Sequence, residues 1–422
     1  MRKAVLSSRM RILLSPFGTR GDVQPLVGLA HALRRAGHEV TFCAPPNYRG
    51  WLESEGFAFH EAGTDYKELM KEMTAPPPRP FRALAREVPR QFEALEPLVR
   101  RADVVIGASQ NHAVPSLCEA AGVPFRMVFF SPAAVPSSAH AMPLLPIDWV
   151  PRSLNRFTWW LVDASAVLSV GRPINEARAR LGLAPMKSWI RATLGEGIFL
   201  PFDPAIAEVP EDARHLVTTT GAWLHDHGEP LPPDVEEFLG AGAPPIYVGF
   251  GSMQEGDPAR LTRMIVDAAE RTGIRVLLSS GWTRLGGASL PVSVRSLGPV
   301  SHRALFPRCF ATVHHGGAGT TIASAIAGVP QLIVPHLFDQ FFHGRRIGEL
   351  GLGPRALPKQ KLTSEKLVAA FAAMKEPAMR ERARAFAKQM TLDGADRAVR
   401  VIEDLQRQRT PTRTSADGGD LP

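Results

Sequence analysis

Cysteine is scarce, with only Cys43, Cys118 and Cys309 among 422 residues. Three widely spaced thiols provide neither a disulfide framework nor a zinc-ligand pattern, which points to a reducing compartment. No apolar stretch approaches the roughly 18 residues of a membrane-spanning helix. The basic start, MRKAVLSSRMRILLSPFG, has an apolar core too short for a secretory signal, so the cytoplasm is the expected location. The formal charge of +8 comes from scattered lysines and arginines with no basic run interleaved with aromatics, so nucleic acid is not an expected partner. An anionic small molecule, or peripheral contact with a membrane surface, accounts for the excess equally well. An Asp-x-Asp pair that would anchor a divalent ion on a diphosphate is missing. Missing too are a Walker lysine motif and a GxGxxG followed by a ribose-binding acid. ATPase and dehydrogenase chemistry are thereby disfavoured, and neither a metal nor a cofactor is expected.

What is present is a packed α/β chain. Hydrophobic residues make up 45% and charged residues 21%, and the length exceeds one ordinary core, which favours two domains. Glycine (36) and proline (38) are spread as turn punctuation between alternating strand and helix patterns. Residues 11–15 read as a strand, 16–21 as a turn carrying Gly18 and Gly21, and the pattern is helical from Asp22 until Gly37. A further strand at 39–44 completes a βαβ opening, so a parallel sheet follows. Buried-type strands at 103–108 and 125–130 flank a helical 114–121. Residues 66–80 and 131–183 read as less regular. The second stretch holds Trp149, Phe157, Trp159 and Trp160, for which helix-packing core and an apolar ligand pocket both stay open. Five prolines and a loss of apolar pattern mark 225–245 as a linker between domains at 10–224 and 246–406. The second domain opens with strand 246–250, helix 258–272 and strands 275–279 and 292–297. Residues 1–9 receive no role, and 407–422 read as a disordered tail.

The most informative stretch spans 312–346. A strand end is followed by His314, His315, Gly316, Gly317, Ala318 and Gly319, then by a short helical pattern at 320–327 closed by Gly328 and Pro330. Bare backbone N–H groups at a helix start, with the positive end of the dipole behind them, suit a diphosphate. A tight βα turn that binds nothing is the competing reading. Adjacent strand residues point to opposite faces, so His314 and His315 cannot both reach one phosphate. Farther on, Asp339 and Gln340 lie among Phe338, Phe341 and Phe342, a polar pair able to hold neighbouring sugar hydroxyls where phenyl rings exclude water.

The segments HHGGAGTT, GVP and DQFF closely resemble the nucleotide-sugar signature of the family 1 inverting glycosyltransferases of the GT-B fold. The branch is the bacterial and fungal one that glycosylates sterols, glycopeptide and macrolide antibiotics and lipids, and the likeness extends from Met10 to about Val401. It implies two Rossmann-like, doubly wound domains facing each other across a cleft. The first would bind the acceptor and the second the nucleotide sugar, with the final helix crossing back. On this resemblance His315 contacts the diphosphate and His314 packs behind it, while Gly317, Gly319, Thr320, Thr321 and Ser252 complete the phosphate site. Asp339 and Gln340 would hold the hexose, Val300 and His302 the nucleoside, and Phe17, Trp159 and Trp160 the acceptor. Pro299 falls where many relatives place an aromatic ring, and Ala323 where plant enzymes carry a ribose-binding glutamate, so a thymidine diphosphate donor stays open beside UDP-glucose.

Asp22, in GTRGD, is a helix-capping residue on sequence grounds alone. The resemblance puts it at the position of the catalytic base. The implied activity is metal-independent, inverting transfer of a hexose from a nucleotide diphosphate sugar to a hydroxyl of a lipophilic small molecule, with the donor as substrate and no cofactor. Two rivals are a GT-B nucleotide-sugar epimerase, against which the aromatic inserts speak, and a non-catalytic nucleotide-binding partner of another transferase, against which Asp22 speaks.

Overall fold

The computed structural model describes residues 9–73, 79–143, 150–225, 230–251, 257–280 and 290–407. Ser252, Trp149 and the tail beyond Arg407, for which the sequence raised expectations, lie outside these residues.

Seven parallel strands form the first sheet: β1 (Arg11–Phe17), β2 (Glu39–Ala44), β3 (Ala58–Glu61), β4 (Val104–Ser109), β5 (Phe125–Val128), β6 (Ile198–Leu200) and β7 (Val217–Thr219). Their spatial order is β3-β2-β1-β4-β5-β6-β7. Helices α1 (Arg20–Arg35), α2 (Arg49–Ser54), α3 (Tyr66–Met73), α4 (Arg79–Val99), α5 (Val114–Ala121), α6 (Arg152–Arg180) and α7 (Trp189–Leu194) cover it. Six of the seven residues of β1 are buried, as a strand covered on both faces requires.

The second sheet is built from β8 (Ile246–Gly249), β9 (Val276–Ser279), β10 (Val294–Leu297), β11 (Ala311–His314) and β12 (Gln331–Ile333), parallel and ordered β10-β9-β8-β11-β12. Its helices are α8 (Pro233–Gly240), which lies inside the proline-rich linker, α9 (Pro258–Thr272), α10 (His302–Leu305), α11 (Ala318–Ala327), α12 (Gln340–Glu349), α13 (Ser364–Met374), α14 (Pro377–Ala387) and α15 (Gly394–Arg407). Each sheet reverses its strand order once, between β1 and β4 and between β8 and β11. In such folds ligands bind where the order reverses, outside the C-terminal strand ends.

The last helix returns to the first domain. Ala398, Val399 and Ile402 of α15 join the core cluster that contains Leu26, Leu29 and Leu33 of α1, and full burial of Ile402 contributes about 2 kcal/mol. Arg35 pairs with Asp396 at 3.0 Å, and His38 meets Glu403 at 3.2 Å.

The stretch at 131–183, read as irregular, contains the 29-residue helix α6. Both faces of its first half are apolar, which removes the amphipathic period by which a helix is recognised. Trp159 is buried on one side, while Leu154, Phe157, Trp160, Leu161 and Leu168 are exposed on the other. Among the described residues no helix is long and apolar enough to cross a membrane.

Candidate active site

At the end of β1 the chain turns through Gly18 into α1, whose N-cap is Thr19. Asp22 is therefore not the cap. It is the third helical residue, and its Oδ2 reaches back to accept from the Thr19 backbone N–H (2.6 Å) and the Thr19 hydroxyl (2.9 Å). The Ser109 hydroxyl, from the end of β4, donates to the other oxygen, Oδ1, at 2.6 Å. Burial raises the Asp22 carboxyl above the ordinary aspartate range, the hydrogen bonds from Ser109 and Thr19 oppose the rise, and the charge of Asp339 adds to it. The Asp339 charge that acts on Asp22 belongs to the other domain, 317 positions away in sequence. Ser109 was not singled out by sequence reasoning. Its φ of 59° is a left-handed conformation that a non-glycine residue adopts at a cost, and only Phe338, beside Asp339, shares the feature among the described residues.

Across the cleft, β11 ends at His314 and α11 begins after Gly317. His314 is fully buried and fully engaged: its Nδ1 accepts from the Gly316 N–H (3.1 Å), so its Nε2–H donates to Gln331 Oε1 (3.0 Å). His315 differs, since its buried Nδ1 has no hydrogen-bond partner among the described residues. Its ring lies between two glycine turns. A Cβ on Gly317 would come within 2.6 Å of its Nε2, and one on Gly251, after β8, within 3.0 Å of its Cε1. Burial, and then the neighbouring His314, His336, His302 and His343, hold its pKa down at about 3, so the ring is neutral in the free protein.

The first turn of α11 supplies the N–H groups of Ala318, Gly319 and Thr320, and a side chain on Gly319 would meet only open space. Thr321, expected at the phosphate, turns inward: both its amide and its hydroxyl donate to the Gly317 carbonyl at 3.0 Å, so it braces the turn. The Gln340 Oε1 accepts from the backbone N–H groups of His336 (2.8 Å) and Leu337 (3.1 Å) and holds the loop carrying Phe338. Asp339 is the N-cap of α12 and is partly exposed.

His343 is a further residue that sequence reasoning passed over. It is fully buried; its Nδ1–H donates to the Gly316 carbonyl (2.7 Å), its Nε2 accepts from the Ser131 hydroxyl (3.0 Å), and its ring stacks on Phe202 at 5.2 Å. It therefore ties the phosphate turn of one domain to the loop after β5 of the other, beside the Arg346 guanidinium donating to the Ile206 carbonyl at 3.1 Å. The only sequence signal was a histidine placed i+4 from Asp339.

Val300 packs partly buried beside the core around Tyr247 and Phe306. His302 bonds the Tyr247 hydroxyl at 3.2 Å, stacks on Phe306 at 4.4 Å and is held at a pKa of about 4 by burial. Phe17 is 1% exposed and belongs to the core of the first domain. Trp159 faces inward and donates to the His140 carbonyl at 3.1 Å, whereas Trp160, 60% exposed, stacks on Phe157 on the outer face of α6.

One group of described residues has metal-ligand spacing, His31, Glu55 and His225. It lies nine residues along α1 from Asp22, about 14 Å away along the axis. Arg34 donates to His31 Nδ1 at 3.0 Å, which places a fixed positive charge against any cation there.

Residues 12–137 match the glycosyltransferase family 28 N-terminal domain, and residues 266–405 match the erythromycin biosynthesis protein CIII-like C-terminal domain. The chain is 34% identical over 410 residues to the vancomycin aglycone glucosyltransferase of Amycolatopsis orientalis, covering 96% of this chain and 99% of that protein. It is 32% identical over 423 residues to a sterol 3-beta-glucosyltransferase of Arabidopsis thaliana, UGT80A2, but this covers only 65% of that longer protein, while UGT80B1 is matched over 69% of its length at 32% identity. Among solved structures, spinosyn forosaminyltransferase SpnP superposes with a TM-score of 0.71 over 95% of this chain and all of that one, at 19% identity, a likeness of fold alone. The fold is GT-B.

Proposed function

The chain belongs to the glycosyltransferase family of the vancomycin aglycone glucosyltransferase, and from that membership we propose that it is an inverting, metal-independent hexosyltransferase using a nucleotide diphosphate sugar, UDP-glucose first among them. The observation that supports this most is the Asp22 carboxylate, held at the end of β1 by hydrogen bonds from Thr19 and from Ser109 of β4.

In this reading the diphosphate lies on the first turn of α11, where the helix dipole, the open N–H groups and the unpartnered Nδ1 of His315 receive it. The hexose lies against Asp339. The acceptor hydroxyl attacks the anomeric carbon from the face opposite the diphosphate, a new C–O bond forms as the bond to the diphosphate oxygen breaks, and Asp22 takes the hydroxyl proton. Burial makes Asp22 a stronger base than an exposed aspartate, more favourable for this role than its sequence implied. The leaving group's charge is offset by α11 and His315 without a metal.

The acceptor in this reading is a lipophilic natural product presented from the first domain, and the buried free cysteines agree with the cytoplasm. The outer face of α6, with Leu154, Phe157, Trp160, Leu161 and Leu168 exposed beside Arg152 and Arg156, suits peripheral contact with an anionic membrane surface.

The test is a thermal-shift comparison of UDP-glucose and TDP-glucose followed by mass-spectrometric detection of glycosides. Asp22→Asn is expected to keep donor binding and lower kcat by roughly 10²–10⁴. Near-normal turnover in that variant would remove Asp22 from the role of base.

A further inference from the structure

The two halves of the proposed reaction belong to different domains. Asp22, which takes the proton, follows β1 of the first, and the first turn of α11, which receives the diphosphate, belongs to the second. The distance from base to leaving group is therefore an interdomain distance, and an error of about 1 Å in such a distance lowers a rate by roughly 10²-fold.

Arg346 and Thr391 bridge the domains, to the Ile206 carbonyl at 3.1 Å and the Asp203 carboxylate at 2.6 Å, but neither bond touches the phosphate turn. His343 does touch it. Its Nδ1 lies 2.7 Å from the Gly316 carbonyl, which can only accept, so the neutral ring carries its proton on Nδ1 and Nε2 is the acceptor. Ser131 of the first domain matches that acceptor. Its oxygen accepts from the Ala133 N–H at 3.3 Å while its hydroxyl proton is donated to His343 Nε2 at 3.0 Å. Phe202, also of the first domain, stacks on the imidazole with the two planes 12° apart. His343, Ser131 and Phe202 are all buried, so water is a poor substitute for the bond.

On the second-domain side the contact is stiff. Gly316 is held twice, by its N–H on His314 (3.1 Å) and by its carbonyl on His343, and its φ of 93° suits only glycine. A Cβ there would come within 2.7 Å of Ile333 Cγ2. Asp339 Oδ2, proposed to face the hexose, lies 4.0 Å from His343 Nε2. One ring thus borders the diphosphate turn, the hexose carboxylate and the first domain. An ordinary core histidine is satisfied by its own surroundings, whereas the two bonds of this one lead to different domains.

Resting on the transferase reading above, we infer that His343 is a positioning residue: bonded to Gly316 on one side and to Ser131 on the other, it sets the diphosphate turn, and the donor lying on it, at the distance from Asp22 that transfer requires.

The experiment removes the bridging bond from each side in turn. Ser131→Ala deletes it from the first domain without touching the turn. His343→Asn deletes it from the second, while the Asn amide, at the place of Nδ1, still donates to Gly316. Wild type, both variants and the double variant are compared by initial rates with UDP-glucose, using an acceptor that the wild type glycosylates, and by calorimetric titration with UDP. Each single variant is expected to lose roughly 10–100-fold in kcat with UDP affinity within about twofold of wild type. The double variant should be slower than the slower single by less than about threefold, because both substitutions remove the same bond. A Ser131→Ala enzyme with kcat within about threefold of wild type, a loss of UDP affinity in it as large as its loss of kcat, or losses that multiply in the double variant each overturn the inference. The transferase reading survives those outcomes, since the wild type still forms product. Should one variant not fold, the other tests the same bond; failure of both to fold makes His343 a residue of the fold alone and also overturns the inference. Absence of any glycoside from the wild type overturns the transferase reading, and the inference with it.

Discussion

Gly18→Ala is the perturbation that most sharply isolates the proposed base. Gly18 does not have a positive φ, so its backbone accepts alanine, and the whole effect is steric. The added methyl would lie 2.6 Å from Asp22 Cβ, 2.5 Å from its Cγ and closer still to Oδ2. These contacts are roughly 1 Å inside ordinary van der Waals distance, and Asp22 Cβ, fixed to α1, cannot swing aside as the end of a long side chain would. The carboxylate must rotate out, losing the hydrogen bonds from the Thr19 N–H, the Thr19 hydroxyl and Ser109. Hydrogen bonds to a charged acceptor contribute about 1.5–3 kcal/mol each, but water recovers much of that once the group is exposed, so a net stability loss of about 2 kcal/mol is expected. The catalytic loss is larger, roughly 10²–10⁴ in kcat, because a displaced carboxylate cannot meet the acceptor proton. UDP affinity, held by the other sheet, should change less than about twofold. Calorimetric titration with UDP and initial-rate measurement on the same preparation separate the two effects. A Gly18→Ala enzyme with kcat within a factor of about three of wild type would refute the argument that Asp22 acts from this position.

Chelation with EDTA is expected to leave turnover nearly unchanged; loss of activity restored by magnesium or manganese would show that the α11 dipole and His315 do not suffice for the leaving group. Asp339→Ala should weaken selection among donor sugars while sparing UDP itself, whereas Gln340→Ala should also cost roughly 1–3 kcal/mol of stability by releasing the His336 and Leu337 amides. Urea titration and competitive UDP binding distinguish the two, and equal stability of both variants would count against the loop-bracing role of Gln340. Acid should destabilise the fold before ordinary carboxylates titrate. His112 and His302 are held near pKa 4, and His314 and His315 near 3, against an ordinary 6.5. The unfolded chain therefore binds more protons below about pH 6.5, so their contribution is present above that pH and is lost as pH falls toward 4 and 3. Asp22, with a raised pKa, acts in the opposite direction, one group against these four and His140, which burial also lowers. A melting temperature that stays flat between pH 7 and pH 5 would contradict this.

Much of the architecture was legible because it depends on short-range chemistry. Buried apolar runs marked β1, β2 and β4, glycine and proline punctuation placed α5 and α9, and the turn through Gly316 and Gly317 is written in the bare residues that permit it. The short strands β3, β6 and β7 left no such mark. β3 has an exposed, mixed face, and β6 and β7 have three residues each, too few for a period. α6 escaped recognition because apolar residues on both sides cancel the helical signal.

What the sequence by itself determined is two strand-turn-helix units that aim a carboxylate at one strand end and a bare helix start at another, since cap chemistry and the positive φ of Gly316 are local properties of the backbone. Only the tertiary structure decided which polar atoms are left for a ligand. His314 and His343 carry suitable rings, yet Gln331 engages His314 Nε2 and Ser131, from the other domain, engages His343 Nε2; His315 keeps Nδ1 open because nothing among the described residues reaches it. The basicity of Asp22 was settled in the same way, by burial, by Ser109 from another strand and by Asp339 from the other domain. Satisfaction of a hydrogen bond and the charge on a carboxylate depend on groups hundreds of residues distant, and only the packing of two domains brings those groups within range.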